Sequence, residues 1–131
     1  MTSRTSLRSP LGSVLGRGSA KNGVHHWWAQ RASAMALAPL ALWLLCSLAA
    51  LPLADHASVA HWIGGGWHPV LLVLLIAVGA WHSQLGMQVV IEDYVRGTPK
   101  TALLLLSLYG HVLVAAAGIY AVLRVALRSF G

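Results

Sequence analysis

The sequence predicts an all-α membrane protein with three transmembrane helices, and three observations carry that prediction. The chain of 131 residues is 57% hydrophobic and 9% charged, with a mean hydropathy of +0.69, outside the range of an ordinary soluble domain. Its apolar residues gather in three runs, about 32–53, 69–91 and 102–123, each long enough to cross a hydrocarbon core that takes about 20 helical residues. The breaks between them hold the turn formers, Gly64 to Gly66 before the second run and Gly97 and Pro99 before the third. A single three-helix membrane domain over residues 23–131 is expected, preceded by an arm over residues 1–22, with no soluble domain attached.

The arm is rich in Ser, Gly and Arg and lacks apolar periodicity, so it is expected to be flexible or to fold on a partner. Gly23 then punctuates, and Trp27 and Trp28 are amphipathic rings suited to a water–lipid boundary. Pro39 is placed to bend the first helix, which membrane helices tolerate when neighbours satisfy the freed carbonyl. A secretory signal competes for this span, because "SLAALPLADH" offers small residues at a would-be cleavage site. The basic leader is too long for that and the apolar run exceeds a usual signal core. Cys46 is the one cysteine and lies inside the span, which excludes a disulfide framework and a C-x-x-C metal site.

The first connection, "ADHASVAHWIGGGWHP", combines three histidines, a glycine triplet, Trp62 and Trp67, and reads as an interfacial turn. His56, His61 and His68 invite a metal reading, since imidazole is a common ligand. No thiolate accompanies them and their spacing matches no zinc pattern, so a solvated loop is expected instead. "RGTPK" is a short turn in which Pro99 opens the third helix.

A net charge of +6 raises the question of nucleic acid, and the location of the charges answers it. Arg4, Arg8, Arg17, Lys21 and Arg31 precede or open the first span, and Arg96 and Lys100 follow the second. The connection between spans one and two carries Asp55 and no Lys or Arg. With seven basic residues on one side against Arg124 and Arg128 on the other, the positive-inside rule predicts a cytoplasmic N-terminus and a C-terminus outside. No basic motif or polar helix face outside the termini suits DNA or RNA.

His82 is the residue that apolar packing does not explain. It lies thirteen residues after Pro69 and twelve before Tyr94, close to mid-membrane, where an ionisable group is costly unless paired or liganded. Two uses suit a neutral imidazole there: an interhelical hydrogen bond, or an axial bond to haem iron. Gly79 and Gly86, three residues before and four after, share its helical face. They leave room either for a flat macrocycle or for a neighbouring helix. Asp93 and Tyr94 fall about 18 Å further along the axis at about 1.5 Å per residue. That phenol either anchors the helix at the interface or donates a hydrogen bond to a carbonyl oxygen, with the carboxylate orienting it or relaying protons.

These segments carry a resemblance. "HSQLGMQVVIEDYV", His82 to Val95, resembles the H-x-x-x-G-M-x-x-V-x-x-D-Y-V segment of the smaller hydrophobic membrane-anchor subunit of succinate dehydrogenase, respiratory complex II. "KNGVHHWWAQRASA", Lys21 to Ala34, is similar to the G-V-H-x-x-x-x-x-R-A-x-A stretch of the same subunit, and its HHWW version resembles alphaproteobacterial members. The two segments stand in the same order as in that family and fall correctly about the spans.

The resemblance implies a multi-pass subunit of the bacterial inner membrane that packs with a larger three-helix cytochrome b anchor subunit. The two anchors hold one b-type haem between them and dock a flavoprotein and an iron–sulfur subunit on the cytoplasmic side. His82 would be this chain's axial ligand, the partner supplying the second histidine, and Gly79 and Gly86 would form the haem-facing surface. His25 and Arg31 would meet the haem propionates, as suits a guanidinium facing carboxylates. His26 stands close enough to substitute for His25. Tyr94, with Asp93 beside it, would bind ubiquinone. His111 matches no motif of that family, and a buried interhelical hydrogen bond or a second haem ligand is open to it. The chain has no dinucleotide glycine motif and no cysteine cluster, so flavin and iron–sulfur clusters belong to the partner subunits. Two rivals stand beside this reading: a fumarate reductase anchor, and a structural three-helix scaffold without haem or quinone.

Overall fold

The computed structural model describes residues 20–52 and 55–129. Four helices are found there: α1 (Ala20–Ala50), α2 (His56–Gly64), α3 (His68–Tyr94) and α4 (Pro99–Ser129). Helices α1, α3 and α4 have mean hydropathies of 1.9, 1.8 and 2.0 over their most apolar windows and are long enough to cross a membrane. With 27 to 31 residues each, they run about 40–46 Å at about 1.5 Å per residue, more than a core of about 30 Å requires. The expected flexible arm falls largely at residues 1–19, outside the described residues, and α1 begins at Ala20 rather than after Asn22.

The connection expected to be a solvated loop contains a helix instead. Asp55 is extended and caps α2, its carboxylate accepting from the backbone N–H of Ser58 at 2.8 Å and of Ala57 at 3.4 Å, and also from the Ser58 hydroxyl. Those bonds satisfy donors that a helix start leaves orphaned. The Ser58 hydroxyl, followed by its backbone N–H, holds the Asp55 carboxyl below the usual carboxylate range. Gly65 closes α2 with a bond from its N–H to the Trp62 carbonyl at 3.3 Å, and Gly66 takes φ +52°, open to glycine at no steric cost. Pro69 occupies the first turn of α3, where its missing N–H costs nothing. At the far end, Val95 caps α3 through Ile91, Gly97 turns at φ +78°, and α4 opens on Pro99, as its sequence predicts.

Helix α3 is the middle of the arrangement. It packs extensively against α4 and against α1, while α1 and α4 have no backbone approach to one another. The short α2 lies across α4 and touches α3. Its Trp62 stacks on Trp43 of α1 (5.7 Å between centroids) and on the His68 ring (4.7 Å), and His68 Nδ1 donates to the Trp62 carbonyl at 2.6 Å. At the contact of α3 with α4, a Cβ on Gly118 would come within 3.3 Å of Ile76, so the small residue lets the backbones approach. Little is buried by the chain alone: among the described residues Leu85, Ile91 and Ala126 are the buried hydrophobic side chains and Ser33 the buried polar one.

Candidate functional site

The first helix gives His82 its surroundings. On α1, His26, Gln30 and Ser33 recur at i, i+4 and i+7 and share one face, which α3 covers at His82 and Gly86. Ser33 Oγ lies 2.9 Å from His82 Nδ1 and also donates to the Gln30 carbonyl at 3.0 Å. The Gln30 side-chain amide reaches His82 Nε2 at a long 3.5 Å. Two buried polar atoms in this seam, His26 Nε2 and Gln30 Oε1, have no hydrogen-bond partner among the described residues. Ser33 is 2% exposed, and His82 is half-buried.

Gly79 and Gly86 both look toward α1. A Cβ on Gly86 would meet the Gln30 amide at 3.7 Å and one on Gly79 the Leu37 side chain at 3.8 Å, which are ordinary contact distances. Of the pair at the mouth of α1, His25 is exposed, and Arg31, also exposed, places its guanidinium 5.3 Å over the Trp27 ring, a cation–π contact. The half-buried histidine of the "HH" pair is thus His26, on the face of His82, whereas His25 and Arg31 lie outside that seam. Asp93 and Tyr94 end α3, both exposed, Tyr94 to 84%. They do not touch His82, and the topology sets them at the end of the molecule where α1 starts.

The sequence reading missed Gln30 and Ser33. The signal available was their i, i+3 spacing with His26 one turn earlier, polar residues on one stripe of an apolar helix.

His111 makes an interhelical bond, though an exposed rather than a buried one. Its Nδ1 donates to the Ser107 carbonyl at 2.7 Å, and its Nε2 accepts from the Ser83 hydroxyl at 3.1 Å. It lines a groove of about 830 Å³ between α3 and α4 with Gly79, Ser83, Met87 and Gly110. His82 turns to α1 and Ser83 to α4, so the two imidazoles face different neighbours. Among the described residues no three of His, Cys, Asp and Glu converge as a metal site.

Three long apolar helices with their apolar surface outward and a polar seam between two of them define a multi-pass membrane protein. The family described as succinate dehydrogenase/fumarate reductase transmembrane subunit matches residues 5–123. A succinate dehydrogenase hydrophobic membrane anchor subunit from Paracoccus denitrificans is 32% identical over 121 residues, covering 91% of this chain and 92% of the relative. One from Rickettsia bellii is 35% identical over 89 residues, or 68% of this chain and 71% of the relative. A succinate dehydrogenase membrane anchor subunit from Reclinomonas americana is 34% identical over 80 residues, 59% and 67% of the two chains. No solved structure matches the chain. The chain belongs to the succinate dehydrogenase/fumarate reductase transmembrane subunit family, among the succinate dehydrogenase membrane anchors.

Proposed function

We propose that this anchor holds the flavoprotein and iron–sulfur subunits at the bacterial inner membrane, shares one b-type haem with a larger cytochrome b anchor subunit, and helps to build the ubiquinone-reduction site. Its N-terminus lies in the cytoplasm and its C-terminus outside, as the basic residues favour. The observation that carries the reading is His82, an imidazole at the middle of α3 whose Nε2, among the described residues, meets the Gln30 amide alone, at 3.5 Å. That is long for an N–H···N bond and leaves the nitrogen nearly uncommitted.

The donor set fits haem iron. One histidine of this chain and one from the partner would hold the iron, and the unpartnered Gln30 Oε1 next to His82, with His26 Nε2 one turn earlier on α1, are polar atoms that a bound group or water would satisfy. Bound haem supplies one-electron transfer. The chain's own residues do the rest: His82 holds the iron, Arg31 with His25 or His26 meets propionates at the mouth of α1, and Tyr94 donates a hydrogen bond to a quinone carbonyl. Asp93 beside it orients the phenol or takes part in proton delivery.

One observation favours a second reading, a scaffold without cofactor: His82 already has partners on α1, and Gly79 and Gly86 pack toward that same helix. A reduced-minus-oxidised spectrum of the purified complex separates the two. The cytochrome reading expects a b-type spectrum that His82→Ala disturbs; an unaltered spectrum in that variant dismisses the ligand role.

A further inference from the structure

Hydrogen positions in the seam between α1 and α3 follow from counting. Ser33 has one hydroxyl hydrogen, and it is committed to the Gln30 carbonyl three residues back, at 3.0 Å; serines in helices commonly bond the preceding turn in this way. Toward His82 Nδ1, at 2.9 Å, the same oxygen can only accept. With both Ser33 bonds made at once, Nδ1 carries the hydrogen, and a neutral imidazole with Nδ1–H has its lone pair on Nε2. The Gln30 amide, set with its nitrogen 3.5 Å from Nε2, is compatible with that tautomer.

We infer that Ser33 is the positioning residue for His82, fixing the Nδ1–H tautomer and the ring orientation so that Nε2 is presented to the iron. The inference rests on the reading of His82 as axial ligand. Ser33 is the one buried polar side chain among the described residues, and its hydroxyl closes a chain that runs from the Gln30 carbonyl through Ser33 Oγ to His82. Metal-bound histidines are generally held by such a bond from the second ring nitrogen, and its loss typically costs 10–100-fold in affinity. Gln30 stands at Nε2, the nitrogen that would hold the iron, and its long contact at 3.5 Å would give way to a ligand bond.

The test uses the assembled complex carrying Ser33→Ala, Ser33→Val or Ser33→Thr. Its readouts are haem retained per complex, the low-spin ferric resonance and the midpoint potential. Alanine and valine are expected to weaken haem retention about 10–100-fold and to raise the potential, since an imidazole without its acceptor donates less electron density to ferric iron. Threonine, which has the hydroxyl, restores the wild-type values. Because threonine and valine fill the same volume, their comparison isolates the hydroxyl even if the alanine variant assembles poorly. Wild-type potential and resonance in the alanine and valine variants, or an equal shift in the threonine variant, overturns the role of Ser33. His82→Ala serves as the control: if it keeps the b-type spectrum, the ligand reading itself falls, whereas if it loses the spectrum while the valine variant is unchanged, only Ser33 falls.

Discussion

A single imidazole inside an apolar helix is a small perturbation in energy and a large one in specificity. The Ser33–His82 hydrogen bond is worth about 0.6 kcal/mol by the average for interhelical polar pairs in membranes, too little to decide the packing of two long helices. Its value lies in direction, because it sets which ring nitrogen is free. Tyr94 illustrates the opposite situation, a phenol 84% exposed at the end of α3 whose hydroxyl is left to an external acceptor. If Tyr94 binds a quinone carbonyl as proposed, replacing it with Phe removes one hydrogen bond of about 1–1.5 kcal/mol, equivalent to about a tenfold loss. Ubiquinone reductase activity is expected to fall by that order while succinate oxidation with an artificial acceptor survives. Undiminished ubiquinone reduction in the variant would take Tyr94 out of the site.

Among the elements, α2 depends most on one side chain. Asp55 satisfies its first-turn donors, and the Ser58 hydroxyl keeps the carboxyl ionised to lower pH than usual. A carboxyl with a depressed folded value contributes in full above its unfolded value, here 3.8, and the contribution vanishes as the pH falls through the lower folded value. Amide exchange at Ala57 and Ser58 should thus be insensitive to this cap's titration from neutrality down to about pH 5 and accelerate in acid below the folded value. Asp55→Asn retains a capping side chain and should remove that acid step, and Asp55→Ala should speed exchange at every pH. The same acid step in the Asn variant would show that another group causes it. The nine-residue length of α2 explains why its sequence reads as a turn: a segment with three aromatic or imidazole rings and a glycine triplet behind it shows no apolar period, and the cap is the one local signal.

For the molecule as a whole, the row α1–α3–α4 leaves the chain without a core of its own. No residue in the most apolar window of α4 is fully buried by the rest of the chain, and only 6% of those in the windows of α1 and α3 are. Leu113, Val114 and Leu127 are each at least 70% exposed, a surface that only lipid or protein can cover. On the proposed reading the chain holds half of a haem site and part of a quinone site, and so depends on its neighbours. Expressed in cells that lack the other subunits, it should fall several-fold in membrane abundance, measured by immunoblot against the assembled complex. Equal abundance and lifetime on its own would show that lipid suffices to stabilise the three helices.

Local chemistry settled the three spans, the proline-opened α4, and the resemblance carried by His82, Asp93, Tyr94, Gly23 to His25 and Arg31. Span length and hydropathy are properties of consecutive residues, and motif spacing is a property of one helix. Which face of α1 meets α3 is not local: it depends on a register between residues some fifty positions apart, Ser33 and His82, that no period within either helix specifies. Tertiary packing alone therefore set His26 rather than His25 in the seam, turned Gly79 and Gly86 toward α1, directed His111 to Ser83, and gave Ser33 its place against the imidazole.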